Sequence, residues 1–147
     1  MKKVLLLLWQ LPQSIIGFIC VAFWCIVTSE YYYVTLNGTA IFLFDKFPSW
    51  IWGISFGTIA GVEKVKYTSS GIKTNIVSWE TVTNIMGHEL GYATQSKILG
   101  PVYLIAILLQ HVTIWIPYEK RFMEAWANKI GIKVTCGYNG KAFKIVN

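Results

Sequence analysis

Residues 78–101, SWETVTNIMGHELGYATQSKILGP, decide the fold, because they read as one helix with a start, a stop and two unlike faces. Ser78 can cap the N-terminus, Glu80 suits the first turn, and Val77 with Val82 can form a hydrophobic staple. Lys97 suits the last turn, and Gly100-Pro101 ends the run. At 3.6 residues per turn, Val82, Met86, Leu90 and Ala93 fall on one face. Asn84, His88, Tyr92 and Gln95 share the opposite one, with Glu89 on the margin. The helix needs an apolar layer under the first face and holds a line of polar groups on the second.

Pro101 can open a following helix at its first position. Residues 102–116, VYLIAILLQHVTIWI, are uncharged but number only fifteen, or about 22 Å of helix. That falls short of the roughly 30 Å of bilayer hydrocarbon. Pro117 separates this segment from an amphipathic helix, YEKRFMEAWANKI (118–130), which Gly131 stops. The chain closes with IKVTCGYNGKAFKIV, a hairpin pattern centred on Asn139-Gly140.

Upstream, residues 4–28 carry no charge over 25 positions. The run is long enough to cross a bilayer, even through Pro12. It outlasts the apolar region of a signal peptide and no A-x-A-like site follows, so a retained membrane anchor over residues 1–29 is expected. A single domain, residues 30–147, then follows. It opens with YYYVTL-NG-TAIFLF (31–44), two β-rich runs around a type I′ turn signal. Apolar side chains point both ways along these strands, so both sheet faces should be covered. Asn37-Gly38-Thr39 also matches a glycosylation sequon, but the turn accounts for it better. Residues 53–62 (GISFGTIAGV) and 62–68 (VEKVKYT) read as further strands, with Ser69-Ser70-Gly71 as a turn. The expected class is α+β: an N-terminal membrane helix, β-hairpins, and two polar-faced helices joined by a short hydrophobic one.

Composition agrees with a membrane setting. Of 147 residues, 54% are hydrophobic and only 14% charged, against about 25% charged in an ordinary soluble domain. Too little polar surface is available to clothe a soluble globule. Cys20, Cys25 and Cys136 give neither a disulfide framework nor a C-x-x-C pair. The net charge of +6 gathers at Lys2-Lys3 and in the last thirty residues. Beside apolar segments it suits anionic lipid headgroups better than nucleic acid, so membrane lipids are the expected partner. No Ser/His/Asp grouping, phosphate-cradling glycine loop or calcium loop is present.

Chemistry concentrates in His88-Glu89-Leu90-Gly91-Tyr92. In H-E-x-x-H, residues i and i+4 put two imidazoles on one zinc ion, and the intervening glutamate takes a proton from metal-bound water. Here the second histidine is Tyr92. A third ligand would have to come from elsewhere, and Glu124-Ala125-Trp126-Ala127-Asn128 fits the pattern E-x-x-A-[DN] on a helix that ends in glycine.

These stretches resemble membrane zincins of the HtpX and CAAX-protease type. The block Gly87–Leu104 is more closely similar to a group of small bacterial membrane proteins whose pattern is H-E-x-G-H-x-x-Q-S-x-x-x-G-P-x-Y-L, with a later "TExWAD" helix. Trp9-Gln10-Leu11-Pro12-Gln13 resembles the same group. The resemblance implies a bacterial-type inner membrane and a zincin-like helix pair. It makes His88 and Glu124 zinc ligands, Glu89 the general base and Asn128 a supporting partner. It also implies an edge strand beside the active helix, to which a peptide substrate adds; residues 53–62 are the candidate. Tyr92 departs from the pattern. A neutral phenol with a pKa near 10 is a poor zinc ligand, so the expectation is a metallopeptidase homologue impaired or inactive at its zinc. His111 is the one other histidine that could substitute. The alternative is a non-enzymatic membrane protein that binds a protein or lipid partner.

Topology separates two arrangements. Lys2 and Lys3 place the N-terminus in the cytoplasm. If residues 102–116 crossed the membrane, His88 and Glu124 would lie on opposite sides and share nothing. The zincin-like reading therefore requires residues 102–116 to be re-entrant or buried.

Overall fold

Apolar residues on both faces of the strands demand a cover on each side, and two helices supply it. The computed structural model describes residues 2–28, 31–44, 53–63, 79–113, 115–136 and 143–146. Helix α1 (Lys2–Val27) runs through Pro12 without a break. Strands β1 (Tyr31–Leu36) and β2 (Thr39–Phe44) form an antiparallel hairpin. Its turn holds Asn37 at φ 49° and Gly38 at φ 70°, the left-handed pair that a type I′ turn requires. Strands β3 (Gly53–Phe56) and β4 (Ile59–Glu63) pair antiparallel, and β4 lies parallel to β2. The sheet order is β1-β2-β4-β3, which leaves β3 at an edge.

Side chains alternate across this sheet as the pleat dictates. Ile41, Leu43, Ala60 and Val62 meet Val82, Met86 and Leu90 of helix α2 (Trp79–Leu99) on one face. Phe42, Phe44 and Ile59 meet Val21, Trp24 and Cys25 of α1 on the other. Met86 and Leu90 are fully buried, and each such side chain contributes about 1.5–3 kcal/mol. Helix α3 (Val102–Val112) follows the Gly100-Pro101 corner. Helix α4 (Phe122–Ile130) then packs along α2, and β5 (Lys133–Cys136) pairs with β6 (Phe143–Val146). The class is α+β with a mixed sheet and an N-terminal apolar helix long enough to cross a membrane.

Four expectations need correction. Residues 53–62 are not one strand but two, reversed at Gly57-Thr58, where Gly57 takes φ +64°. The run is apolar on both sides of the reversal, so its periodicity carried no sign of the turn. Residues 118–130 are not one helix. A 3₁₀ turn over Tyr118–Lys120 ends at Arg121, whose extended backbone (φ −65°, ψ 139°) separates it from α4. Residues 62–63 do not open a further strand but end β4. Of the polar residues on α2, Glu89, Tyr92 and Gln95 are buried, while Asn84 is exposed. Ser78, Val77, residues 45–52, 64–71 and the Asn139-Gly140 turn lie outside the described residues.

Candidate functional site

Two glycines one turn apart decide how close α4 comes to α2. A Cβ on Gly91 would strike the backbone of Ala127, and one on Gly87 would come within 2.6 Å of the Ile132 carbonyl oxygen. With no side chain at either position the helices approach backbone to backbone, and Glu124 is delivered to His88. His88 Nε2 stands 3.1 Å from Glu124 Oε2. Its Nδ1 donates to Asn128 Oδ1 at 2.8 Å, since an amide oxygen can only accept. Gln95 Nε2 ties the same two helices by donating to the Met123 carbonyl at 2.8 Å.

His88, Glu124 and Asn128 are thus brought together as the sequence expected, and residues 102–116 do not separate them across a bilayer. Tyr92 joins them, its ring edge-to-face with His88 at 5.0 Å between centroids. His111 does not. It is exposed and its Nδ1 is engaged with the carbonyl oxygen of Ile107 at 2.8 Å.

Sequence reasoning missed Gln110. Its Nε2 donates to Glu124 Oε1 at 2.9 Å and approaches Tyr92 Oη at 3.4 Å, while its Oε1 accepts from the Glu124 backbone N–H at 3.1 Å. The signal was available, because a glutamine is out of place in an apolar run unless something buried needs it. The hydroxyls of Tyr92 and Tyr118 are also directed at the Glu124 carboxylate. Oε1 takes the Gln110 bond, while the buried Oε2 has no hydrogen-bond partner and faces only the His88 ring nitrogen. Burial acts against the charge on Glu124, but its partners, His88 first, hold the carboxyl below its ordinary 4.5. Burial would likewise lower His88, yet its bonded partners, Glu124 first and then Asn128, keep it above 6.5. With Nδ1 turned to the Asn128 oxygen and Nε2 to a carboxylate, His88 is set to hold a proton more tightly than a free imidazole.

The donor set can be tested against zinc directly. Two ligands about 2.0–2.2 Å from a tetrahedral ion lie about 3.3 Å apart, so the His88–Glu124 pair has nearly the right spacing. The third ligand fails. Burial, followed by the Glu124 carboxylate, pushes the Tyr92 phenol far above its ordinary range, and a neutral phenol does not ligate zinc. Among the described residues, no three His, Cys, Asp or Glu side chains group to hold an ion. The residues present do not fit a catalytic zinc.

Glu89 faces the other way, into the seam between α2 and the sheet. A Cβ on Gly53, at the start of edge strand β3, would overlap its carboxyl. The strand expected beside the helix is therefore there, though only its first half, 53–56, forms the edge. Farther along β3, the Ser55 carbonyl accepts from the Tyr103 hydroxyl of α3 at 2.9 Å. Glu89 Oε2 is buried without a hydrogen-bond partner, and desolvation raises its pKa to about 8, against the pull of His88. Glu89 therefore enters the folded state protonated at neutral pH. A folded-state pKa above the ordinary 4.5 gives stability that is full below 4.5 and lost as pH rises toward 8. Glu89→Gln should remove that slope. Relative to wild type, its unfolding free energy should gain on the order of 3 kcal/mol between pH 4 and pH 7. A wild-type profile no steeper than the variant's between pH 5 and 8 would refute the buried neutral acid.

Comparison with known protein families, with curated proteins and with solved structures finds no match in any of the three.

Proposed function

We propose that this protein is a membrane-attached homologue of zincin-type metallopeptidases that has lost its catalytic zinc and works as a non-catalytic binding protein. One observation carries the reading. His88, Glu124 and Asn128 hold the relation that a zinc histidine, a carboxylate ligand and an orienting partner would hold, while the i+4 position is a buried, neutral Tyr92 bonded into the same carboxylate. Glu89, the residue in the place of a general base, is protonated and packed against β3. The edge of β3 beside it is where an extended peptide could add, although Tyr103 already takes the Ser55 carbonyl. Binding of a protein or lipid partner is the reading in which both features keep a use. Membrane attachment is supported by α1, whose apolar surface is mostly exposed, and a bacterial-type inner membrane with a cytoplasmic N-terminus accords with the sequence resemblance and Lys2-Lys3.

The test is zinc content. Full-length protein, purified in detergent, saturated with zinc and passed through a desalting column, should retain less than about one-tenth equivalent, because two protein ligands hold the ion too weakly. One zinc per chain, lost on Glu124→Gln, would overturn the assignment.

A further inference from the structure

Helix α1 is uncharged from Val4 to Val27, yet it does not stand free. One stripe of it, Gln10, Gln13, Gly17, Val21 and the following Thr28, is pressed into the protein. Ser14 Oγ accepts from the Thr58 N–H at 3.2 Å, and a Cβ on Gly17 would collide with the Phe56 carbonyl oxygen at 2.8 Å. From residue 10 to residue 28 this seam is about 27 Å long, nearly the thickness of the hydrocarbon layer. An α1 that crossed the bilayer would carry the sheet in with it, including β1 and β3, which among the described residues have no strand beyond them. Hydrocarbon does not tolerate such edges.

The rest of the α1 surface is apolar, with Leu5, Leu8, Leu11, Ile15, Phe18 and Ile26 half exposed or more. It continues onto α3. The Trp9 indole lies on Gly100, where any Cβ would overlap the ring, between exposed Ile98 and Val102. The outer face of α3 then presents Val102, Ile105, Leu108, Leu109 and Val112, all more than half exposed, while Tyr103 and Gln110 point inward to Ser55 and Glu124.

Polar groups on this segment satisfy themselves. Gly100 N–H donates to the Ser96 carbonyl at 2.8 Å, Pro101 has no N–H, and Tyr103 N–H donates to Gly100 at 3.0 Å. Exposed His111 returns to Ile107, and Thr113 Oγ1 donates to Gln110 O at 2.6 Å. That is what a segment needs where water is scarce. Helix pairs in membranes meet through Gly, Ala and Ser, whereas this face carries large branched side chains, which suit acyl chains better than a second helix. Exposed Trp115 and Tyr118, then Lys120 and Arg121, follow at its end, matching an interface of aromatic and basic anchors.

We propose that the protein is monotopic: α1 and α3 lie in the plane of one leaflet with their outer faces in the acyl chains, and α3 lies between that lipid and Glu124. The proposal rests on the membrane attachment argued above and not on the reading of the metal site.

Single-cysteine variants of the full chain, made with Cys20, Cys25 and Cys136 replaced by Ser and checked by circular dichroism, test it in sealed membrane vesicles. Lys2→Cys and Tyr31→Cys flank α1. Both should react with an impermeant maleimide from the same side, to within about twofold. Bimane on Ile15→Cys, Ile105→Cys and Leu108→Cys should be quenched by doxyl groups near the headgroup, and quenched at least twofold less by deeply placed ones. If one flank of α1 reacts only after detergent, the helix spans and the monotopic arrangement is wrong. Lipid quenching at Ile15 but none at Ile105 and Leu108 would remove α3 from the bilayer and leave the anchor standing. No lipid quenching at any of the three sites would overturn membrane attachment itself.

Discussion

Tyr92→His is expected to turn the facing pair of His88 and Glu124 into a site that holds zinc. The ring at position 92 already lies 5.0 Å from the His88 ring, on the same face of a formed helix and against the same carboxylate. An imidazole there would complete two nitrogens and one oxygen with little reorganisation, because α2 and α4 are already fixed at backbone contact by Gly87 and Gly91. Loss of an outer partner alone typically costs a metal site 10–100-fold in affinity, so a full ligand gained should strengthen zinc binding by more than about 100-fold. Tyr92→Ala should bind no more zinc than wild type, since the phenol contributes no ligand. Tyr92→His combined with Glu89→Gln should bind zinc as well as Tyr92→His alone, because the Glu89 carboxyl is packed against Gly53 and supplies no ligand. Isothermal titration of the four proteins decides it. If Tyr92→His shows no gain, the relation of His88 to Glu124 is an ordinary ion pair and the H-E-x-x-H likeness is only one of letters.

What the sequence could disclose follows from the range over which its signals act. Helix α2 was legible because capping, a single apolar face and the Gly-Pro stop are local. The β1-β2 hairpin was legible for the same reason, through Asn37-Gly38. The junction of His88 with Glu124 was legible only through the resemblance, because the two residues are 36 positions apart and nothing in local spacing links them. The reversal at Gly57 was hidden by side chains that are apolar on both sides of it. The burial of Tyr92 and Gln95 was hidden by periodicity, which treats a polar face as a wet one. Here that face is covered by α4 and by Gln110. The anchor, read as a separate segment, packs along the sheet through Gln13, Gly17 and Val21, and composition alone cannot distinguish lipid from protein as the neighbour of an apolar helix.

Glu124→Ala should be the most destabilising single substitution in the site, costing about 3–5 kcal/mol, because it leaves a half-buried imidazolium and a buried amide with nothing to face. Gln110 would lose the bond from its Nε2 to the carboxylate while keeping the one from the backbone N–H of residue 124, and His88 would lose its counter-charge. Glu124→Gln keeps the shape but not the charge and should cost less. The pH dependence identifies the pair as the cause. The Glu124 carboxyl is held below its ordinary 4.5, so its contribution is present above that value and is lost as pH falls through the folded-state value. His88 is held above 6.5, so its contribution is full below 6.5 and is lost as pH rises through the folded-state value. The pair therefore stabilises most between about pH 4.5 and 6.5. Glu89 titrates across part of the same window, so the comparison belongs in a Glu89→Gln background, where only the pair remains. In that background, chemical denaturation should show a stability maximum between those limits that flattens in Glu124→Ala. A profile with the same maximum in both proteins would mean that the pairing of His88 with Glu124 is not what holds α4 against α2.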